Sequence, residues 1–281
     1  MKKYLSDGEK PLPAGDEHIT SLQNPRVKNV VRLRQHAARD IQGLMIVEGY
    51  RELMRAIENQ RTPASLFYCR DLFLGKNEPD LIGKCRAAGA EIISCAPAVF
   101  GKMAYRERPE GLLALVPQAR LDLVGLKLPA APLLVVAEAI EKPGNLGTIL
   151  RSADAAGADA VIVCDRCTDI NNPNAVRASL GAIFTVPVAE TSSAEAIEWL
   201  RGNKIQVLAA SPHAKLEYTQ ADLRRGTAIV VGAEQYGLSE PWMQAADLQV
   251  RIPMRGQIDS LNVAAATTIL LFEAARQRGA E

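Results

Sequence analysis

The amino-acid sequence predicts an α/β protein whose C-terminal half is built on a parallel β-sheet. In that half, short apolar segments alternate with segments of helical length, which is the pattern of successive βα units. The segment 133–139 is continuously apolar, as expected of a strand buried on both faces of a parallel sheet. The connections are short, and there are no internal repeats. We therefore expect a parallel sheet with helices on both faces, preceded by a smaller α/β domain.

The prolines and the polar segments divide the chain into four parts. Pro117, Pro129 and Pro132 fall between two blocks of predicted elements, which places a linker there. The predicted parts are a flexible polar arm (1–17), a small α/β domain (18–117), a linker (118–131) and the parallel-sheet domain (132–281).

The smaller domain is predicted to alternate helices and strands, beginning with a basic amphipathic helix. In chain order its predicted elements are helix 25–38, strand 44–47, helix 50–59, strand 65–69, helix 79–88, strand 91–94 and strand 111–116.

The C-terminal domain continues with regular βα units. Ser260 is the predicted N-cap of its last helix, because serine accepts a hydrogen bond from the first turn. The predicted elements are strand 133–139, helix 146–156, strand 160–164, helix 175–181, strand 186–189, helix 194–202, strand 205–210, strand 228–232, a helix from 239, strand 248–252 and helix 261–278.

The composition is that of an ordinary soluble globular protein, with 48% hydrophobic and 23% charged residues. No apolar run reaches the ~18 residues of a transmembrane helix. Asp7, Glu9 and Lys10 stand where a signal peptide needs an apolar stretch. We therefore expect a cytoplasmic protein with no membrane partner.

The cysteines and histidines predict neither a disulfide framework nor a metal site. The five cysteines are odd in number and dispersed. Cys164 and Cys167 form a CxxC pair, but a structural zinc site needs a second pair, and the three histidines are also scattered. Buried or semi-buried thiols at a strand end are the expected state of these residues.

The near-neutral net charge conceals an asymmetry between the two halves. Residues 1–119 carry 18 Lys and Arg against 14 Asp and Glu, whereas residues 120–281 carry 15 against 18. Most of the basic excess lies in one acid-free stretch, which holds Arg26, Lys28, Arg32, Arg34 and Arg39. This stretch is either a phosphate-binding surface or a solvated helix face.

Three loops at predicted strand ends gather polar groups. The first, 141–147, contains Gly144 and Gly147 and runs into a helix that carries Arg151. Its helix N-terminus can hold an anion, although the spacing is not the G-x-G-x-x-G of a dinucleotide site. A plain turn and a nucleotide site are both open for this loop.

The second loop follows strand 228–232 and reads Gly232-Ala233-Glu234-Gln235-Tyr236-Gly237-Leu238. The third loop reads Ile252-Pro253-Met254-Arg255-Gly256 and continues to Ser260-Leu261-Asn262-Val263. Both lie where α/β proteins place ligands, at the carboxyl ends of strands.

In order and spacing, the three loops resemble the SpoU/TrmH family of RNA ribose methyltransferases, within the SPOUT class. The family's first motif is matched by Asn145 and Arg151. Its second is matched by Gly232, Glu234 and Gly237-Leu238, and its third by Ile252-Pro253-Met254 with Ser260-Leu261-Asn262-Val263. Residues 176–182 are also similar to a family stretch. Ile19-Thr20-Ser21, Asn24-Pro25, Val27-Lys28 and Val47-Glu48-Gly49 resemble the ribosomal-protein-like, RNA-binding N-terminal domain of the longer members.

This resemblance implies a trefoil knot in the C-terminal domain, a homodimer, and S-adenosylmethionine (SAM) as methyl donor, with S-adenosylhomocysteine as product. It assigns the chemistry to Arg151, Asn145, Glu234, Asn262 and Ser260. The residues expected to hold the cofactor are Leu208, Ala210, Ser211, Gly232, Glu234, Gly237, Ile252, Met254, Ser260 and Leu261. Those expected to bind RNA are Arg26, Lys28, Arg32, Arg34 and Arg177.

The expected reaction is methylation of a ribose 2′-hydroxyl in structured RNA. Ribosomal RNA is favoured over tRNA because of the N-terminal domain, and DNA is not expected. The alternatives are a tRNA methyltransferase, a non-catalytic RNA-binding member of the fold, and an unrelated nucleotide-binding enzyme. The presence of all four residues Asn145, Arg151, Glu234 and Asn262 argues against a mere binder.

Overall fold

A computed structural model describes residues 16–279, which form two units: residues 16–118 with 171–173, and residues 119–170 with 174–279. The predicted arm, except for residues 16 and 17, lies outside the described residues. Glu17 already begins the first strand, a short one that sequence reasoning missed.

The first unit is a five-stranded mixed sheet with helices against it. Its strand order is β1-β4-β3-β5-β2, in which β5 is antiparallel to β2 and to β3. The strands are β1 (Glu17–Ile19), β2 (Leu44–Glu48), β3 (Ser65–Tyr68), β4 (Glu91–Cys95) and β5 (Leu112–Pro117). The helices are α1 (Pro25–Arg32), α2 (His36–Gln42), α3 (Tyr50–Glu58), α4 (Glu78–Ala87) and α5 (Pro97–Met103).

The predicted basic helix 25–38 is wrong as a single element, because it is broken into α1 and α2. Leu33 ends α1 and is fully buried, so the chain turns inward there. The buried Arg39 then donates to the carbonyls of Leu33 and Arg34, each at 2.9 Å. These are carbonyl groups that a continuous helix would have satisfied. Helix α5 was also missing from the prediction.

The second unit is a seven-stranded parallel sheet, in the order β10-β12-β9-β11-β6-β7-β8. Its strands are β6 (Leu133–Glu138), β7 (Ala160–Cys164), β8 (Val188–Thr191), β9 (Gln206–Ala210), β10 (Leu216–Glu217), β11 (Thr227–Val231) and β12 (Leu248–Arg251). Its helices are α6 (Pro143–Ala155), α7 (Pro173–Ala178), α8 (Ser193–Gly202), α9 (Glu240–Ala245) and α10 (Val263–Gln277).

The parallel sheet confirms the predicted fold class. The interior strand β6 is buried along its whole length, as its unbroken apolar run predicted. The sequence did not reveal the strand order, in which β9 lies between β11 and β12. The short strand β10 was missed, and the trefoil knot stays a prediction from the family resemblance.

The predicted linker 118–131 continues onto the second unit. The amide of Leu121 donates to the carbonyl of Val188 at 3.2 Å, and Leu121 bridges to Ala189 on the edge strand β8. A 3₁₀ turn, Leu123–Gly125, follows. Within residues 16–279, no helix is both long and apolar enough to span a membrane.

The helix starts in this unit differ from the prediction by one to three residues, and two of these differences have a local cause. Helix α6 begins at Pro143, three residues early, because proline fits the first turn of a helix. Helix α10 is capped by Asn262 and not by Ser260. The Asn262 side chain accepts a hydrogen bond from the amide of Ala264 at 3.0 Å, whereas Ser260 is exposed in the preceding loop.

Candidate active site

The strand order brings the polar loops together at one edge of the parallel sheet. Strands β12, β9, β11 and β6 are consecutive neighbours, so the segments that follow them leave the sheet side by side. All three loops singled out in the sequence belong to this set. Such an edge is where parallel sheets bind ligands.

The loop after β11 is a closed turn whose shape depends on two glycines. The amide of Gly237 donates to the carbonyl of Ala233 at 2.9 Å, and Gly237 has a φ of +70°. A Cβ on Gly232 would stand 2.3 Å from the Gly237 carbonyl oxygen. Both glycines are therefore required for the backbone to fold back on itself and present Glu234.

Three side chains from three separate loops form one hydrogen-bonded relay. Asn145, in the first turn of α6, donates through Nδ2 to Oε1 of Glu234. Asn262 donates through its own Nδ2 to Oδ1 of Asn145 at 3.1 Å. The backbone amide of Glu141 also donates to Glu234, at 3.3 Å. The relay fixes Asn145 from both sides.

The relay stabilises the ionised form of the Glu234 carboxylate. Partial burial raises the pKa of Glu234, but the hydrogen bonds from Asn145 and from the backbone amides of Glu234, Glu141 and Lys142 outweigh that effect. The net pKa lies below the ordinary value. An ionised carboxylate only accepts hydrogen bonds, so it determines which end of the Asn145 amide faces it.

Arg151 lies on α6, six residues beyond Asn145, with its side chain exposed. Among the described residues it has no hydrogen-bond or ion-pair partner, so its guanidinium is available to a ligand. A guanidinium carries five donors and a permanent positive charge, which suits it to phosphate and to an alkoxide.

The position of Arg151 depends on a close approach between α6 and α7. A Cβ on Gly147, one turn before Arg151, would stand 2.5 Å from the Ala175 carbonyl oxygen and 2.6 Å from the Ala178 Cβ. Only glycine allows the two helices to lie so near each other.

A second tie holds α6 against α10 and was missed in the sequence. The hydroxyl of Thr268 donates to the carbonyl of Ala264 at 2.8 Å, so the hydroxyl of Ser152 is the donor in the 2.6 Å contact between Ser152 and Thr268. Ser152 is mostly buried and directly follows Arg151. No sequence pattern links these two residues.

The predicted cofactor residues are placed unevenly around the site. Leu208 is fully buried inside β9, two residues before the strand ends, whereas Ala210 and Ser211 lie at its carboxyl end. The amide of Ser211 donates to the carbonyl of Val250 at 2.9 Å. Ser260 is exposed in the loop before α10.

Ile252, Met254 and Leu261 are half-buried around the loop that leads into α10. Within the described part of the chain, the backbone amides of Met254 and Leu261 donate to no other group. An amide without a partner on a half-buried residue is a donor available to a ligand.

The residues predicted to bind RNA have different surroundings. Lys28 and Arg32 are exposed, one turn apart on α1, and Arg177 is exposed on α7. Arg26 instead pairs with Glu91 at 2.6 Å and with Glu17 at 3.4 Å. Arg34 donates to backbone carbonyls at the end of α5. Part of the basic run therefore serves the fold of its own unit.

Comparison with known proteins matches both units to described families. Residues 132–272 match the SpoU rRNA Methylase family, and residues 24–114 match the MRM3-like substrate binding domain. The first match covers half of the chain and includes every loop of the site. The chain belongs to the SpoU rRNA methylase family.

Individual relatives cover most of the chain. A 23S rRNA (uridine(2479)-2'-O)-methyltransferase of Streptomyces viridochromogenes is 32% identical over 84% of this chain and 84% of its own. An RNA 2'-O ribose methyltransferase of known structure is 38% identical, with a TM-score of 0.82 over 93% of this chain and 99% of its own. The AdoMet-bound rRNA methyltransferase from Sinorhizobium meliloti is 31% identical, with a TM-score of 0.85 over 92% and 97%. These matches confirm the family inferred from the motifs.

Proposed function

We propose that this protein transfers a methyl group from SAM to a ribose 2′-hydroxyl of ribosomal RNA. The observation that carries the proposal is the combination of the Asn145–Glu234–Asn262 relay with the guanidinium of Arg151, which lies on the same helix as Asn145 and has no partner among residues 16–279. That helix begins at the carboxyl edge of the parallel sheet. Relatives named for methylation of 23S rRNA, and the match of the first unit to a substrate binding domain, support ribosomal RNA as the substrate.

The reaction asks the protein for alignment and for help with one proton. Methyl transfer from a sulfonium is an in-line displacement on an already activated donor. Arg151 does not act as a base, because a guanidinium stays protonated in proteins. It binds the phosphate next to the target ribose and stabilises the oxygen that becomes negative. Asn145 and Asn262, held by Glu234, orient the hydroxyl or the guanidinium.

The loop before α10 has groups that fit SAM. The free backbone amides of Met254 and Leu261 are donors suited to the polar atoms of an adenosyl group or a carboxylate. Ile252 and Leu261 add half-buried apolar surface beside them. SAM, when bound, supplies the activated methyl group.

The direct test is to incubate the protein with SAM labelled in the methyl group and with deproteinised rRNA or tRNA. Label in rRNA at a ribose that resists alkaline cleavage is the expected result. Label in tRNA alone would identify a tRNA enzyme. Tight binding of rRNA without any label would identify a non-catalytic RNA-binding protein. Arg151→Ala serves as the matched control, because it should abolish transfer and leave SAM binding nearly intact.

We also propose a homodimer, as the family resemblance implies. Helix α10 carries Ala265 and Phe272 exposed on its surface, with Phe272 49% exposed and Ile269 half-buried between them. An apolar stripe of this kind suits packing against a second copy. Sedimentation of the intact protein should give a dimer, and Phe272→Glu should shift it toward the monomer. A wild-type monomer at micromolar concentration would contradict the proposal.

A further inference from the structure

The first unit contains a charged loop that has no role in the proposed transfer of the methyl group. Residues 105–110 connect α5 to β5 and carry an aromatic ring, two arginines and two glutamates. The motif Val47-Glu48-Gly49, at the end of β2, fixes this loop. The Glu48 carboxylate accepts the amides of Tyr105 at 2.7 Å and of Arg106 at 3.1 Å.

Arg106 completes the attachment of the loop. Its guanidinium donates to the Glu48 carbonyl at 3.0 Å and to the Glu52 carboxylate at 2.7 Å, and it pairs with Glu110. Glu48 and Glu52 are both buried. A Cβ on Gly49 would stand 2.7 Å from the Arg106 Nη2, and Gly49 has a φ of +114°. Burying the carboxylates of Glu48 and Glu52 is costly, and here their bonds to Tyr105 and Arg106 hold the loop in place.

The loop places Tyr105, which is half-buried, beside Arg34, two residues after the end of α1. The Arg34 guanidinium lies 6.0 Å from the centre of the Tyr105 ring. The same guanidinium donates to the carbonyls of Lys102 at 2.9 Å and of Ala104 at 2.7 Å, which fixes it in place. The ring is therefore held with an arginine over one face.

The exposed charged residues on α1 and next to Tyr105 in the chain are mainly basic. Lys28 and Arg32 are exposed on α1, which packs against α5, and Lys102 and Arg108 are exposed three residues to either side of Tyr105 in the chain. Glu107 is the exposed acid among them. Lysines and arginines around a fixed aromatic ring match the chemistry of unpaired RNA, in which phosphates alternate with bases that stack on rings.

We infer that Tyr105, backed by Arg34 and held by the loop 105–110, is a stacking platform for an unpaired base of the RNA substrate. Lys28 and Arg32 bind the neighbouring phosphates. This inference rests on the proposed function for its substrate class, but it concerns recognition by the first unit and not the transfer of the methyl group.

The test is the affinity of the full chain for a fluorescent single-stranded oligoribonucleotide of mixed sequence, measured by anisotropy at several salt concentrations. Tyr105→Ala should weaken binding about tenfold, the size of one lost stacking contact, with the salt dependence unchanged. Tyr105→Phe should bind within about twofold of the wild type, because every base stacks on a phenyl ring. The double variant Lys28→Ala/Arg32→Ala should instead lower the salt dependence.

Tyr105→Leu keeps an apolar side chain without the ring, so it tests whether RNA binding depends on the ring even if the alanine variant folds poorly. Gly49→Ala should weaken binding as Tyr105→Ala does, because it displaces Arg106. Gly101→Ala is the matched control, since its Cβ meets nothing within 4 Å and its φ is not positive. Unchanged affinity in Tyr105→Ala and Tyr105→Leu, or equal losses in the phenylalanine and alanine variants, would overturn the inference.

These experiments distinguish a failure of the stacking inference from a failure of the proposed methylation. RNA binding that depends on the Tyr105 ring, without methyl transfer, would support the stacking platform and contradict the proposed reaction. Methyl transfer with RNA binding that does not depend on the ring would support the reaction and contradict the platform.

Discussion

The side-chain amide of Asn262 donates a hydrogen bond to Oδ1 of Asn145 at 3.1 Å, although 117 residues separate the two in sequence. The orientation of each amide follows from its other partner. Glu234 can only accept, so the NH₂ group of Asn145 faces it. Asn262 accepts from the amide of Ala264 at the start of α10, so its NH₂ group faces Asn145. One helix cap thus fixes the residues around the proposed reaction centre.

Asn262→Asp should separate the capping role of this residue from its role in the relay. Aspartate caps helices as well as asparagine does, but a carboxylate cannot donate to Asn145. We expect the free energy of unfolding to be nearly unchanged. The methylation rate should fall about a hundredfold, the typical effect of a displaced reacting group. Urea unfolding and a single-turnover methylation assay measure the two quantities.

Asn262→Ala is the control for this variant. It removes the cap and the relay together, so it should also lose about 1 kcal/mol of stability. A fully active Asn262→Asp variant would limit Asn262 to capping.

The sequence predicted this relay only as a set of residues. Apolar runs such as 133–139 predicted the strands of the parallel sheet, and strand ends located Glu234 and Asn262. The pattern of apolar residues along a strand does not indicate which strands pair with it, so the order that places β9 between β11 and β12 could not be predicted. Ser and Asn both cap helices well, so the sequence alone does not distinguish Ser260 from Asn262 as the N-cap, and only the backbone path does.

Contacts between side chains that are far apart in the sequence could not be predicted either. The break between α1 and α2 depends on Arg39 being buried against the carbonyls of Leu33 and Arg34. The charge of Arg39 had suggested an exposed surface instead. The contact between Ser152 and Thr268 joins residues 116 positions apart, and neither has a distinctive sequence context.

Gly147→Ala should damage both stability and activity. The added Cβ would meet the backbone of α7 at 2.5 Å, so α6 must move away and take Arg151 with it. Overpacking of this kind costs about 1–3 kcal/mol. We expect a lower thermal unfolding midpoint and a methylation rate reduced more than SAM binding.

Gly144→Ala is the matched comparison in the same helix. Its Cβ would meet nothing within 4 Å, so alanine should be neutral or stabilise the protein by up to about 1 kcal/mol. Equal destabilisation by the two variants would mean that the approach of α6 to α7 does not matter.

Thr268→Val should lower the maximal methylation rate without changing the affinity for SAM. The variant keeps the shape of the side chain but removes the hydroxyl that accepts from Ser152, so α6 loses its tie to α10 next to Arg151. We expect a fall of about tenfold in the maximal rate, and Thr268→Ser should restore it. Calorimetry gives the SAM affinity, and initial rates at saturating RNA give the maximal rate.

Thr267→Val provides a close control. Thr267 is buried on α10 and its hydroxyl also donates back to the helix, to the carbonyl of Val263 at 2.7 Å. Among the described residues, that hydroxyl makes no bond to α6. If both valine variants reduce the rate equally, the effect belongs to α10 as a helix and not to the tie with Ser152.

The Glu234 carboxylate should make the folded state sensitive to acid. Its pKa is lower in the folded protein than the ordinary value of 4.5, because Asn145 and backbone amides donate to its charged form more than burial opposes it. The folded state therefore binds fewer protons than the unfolded state across this interval. The stabilisation is fully present above pH 4.5, and it is lost as the pH falls through the lower folded-state pKa.

Glu234→Gln should have a flatter decline of unfolding free energy in this acid range, measured by urea unfolding at closely spaced pH values. Glu240→Gln, on an exposed residue at the start of α9, should follow the wild-type curve. A Glu234→Gln curve that overlays the wild type would show that the relay does not depend on the charge of Glu234.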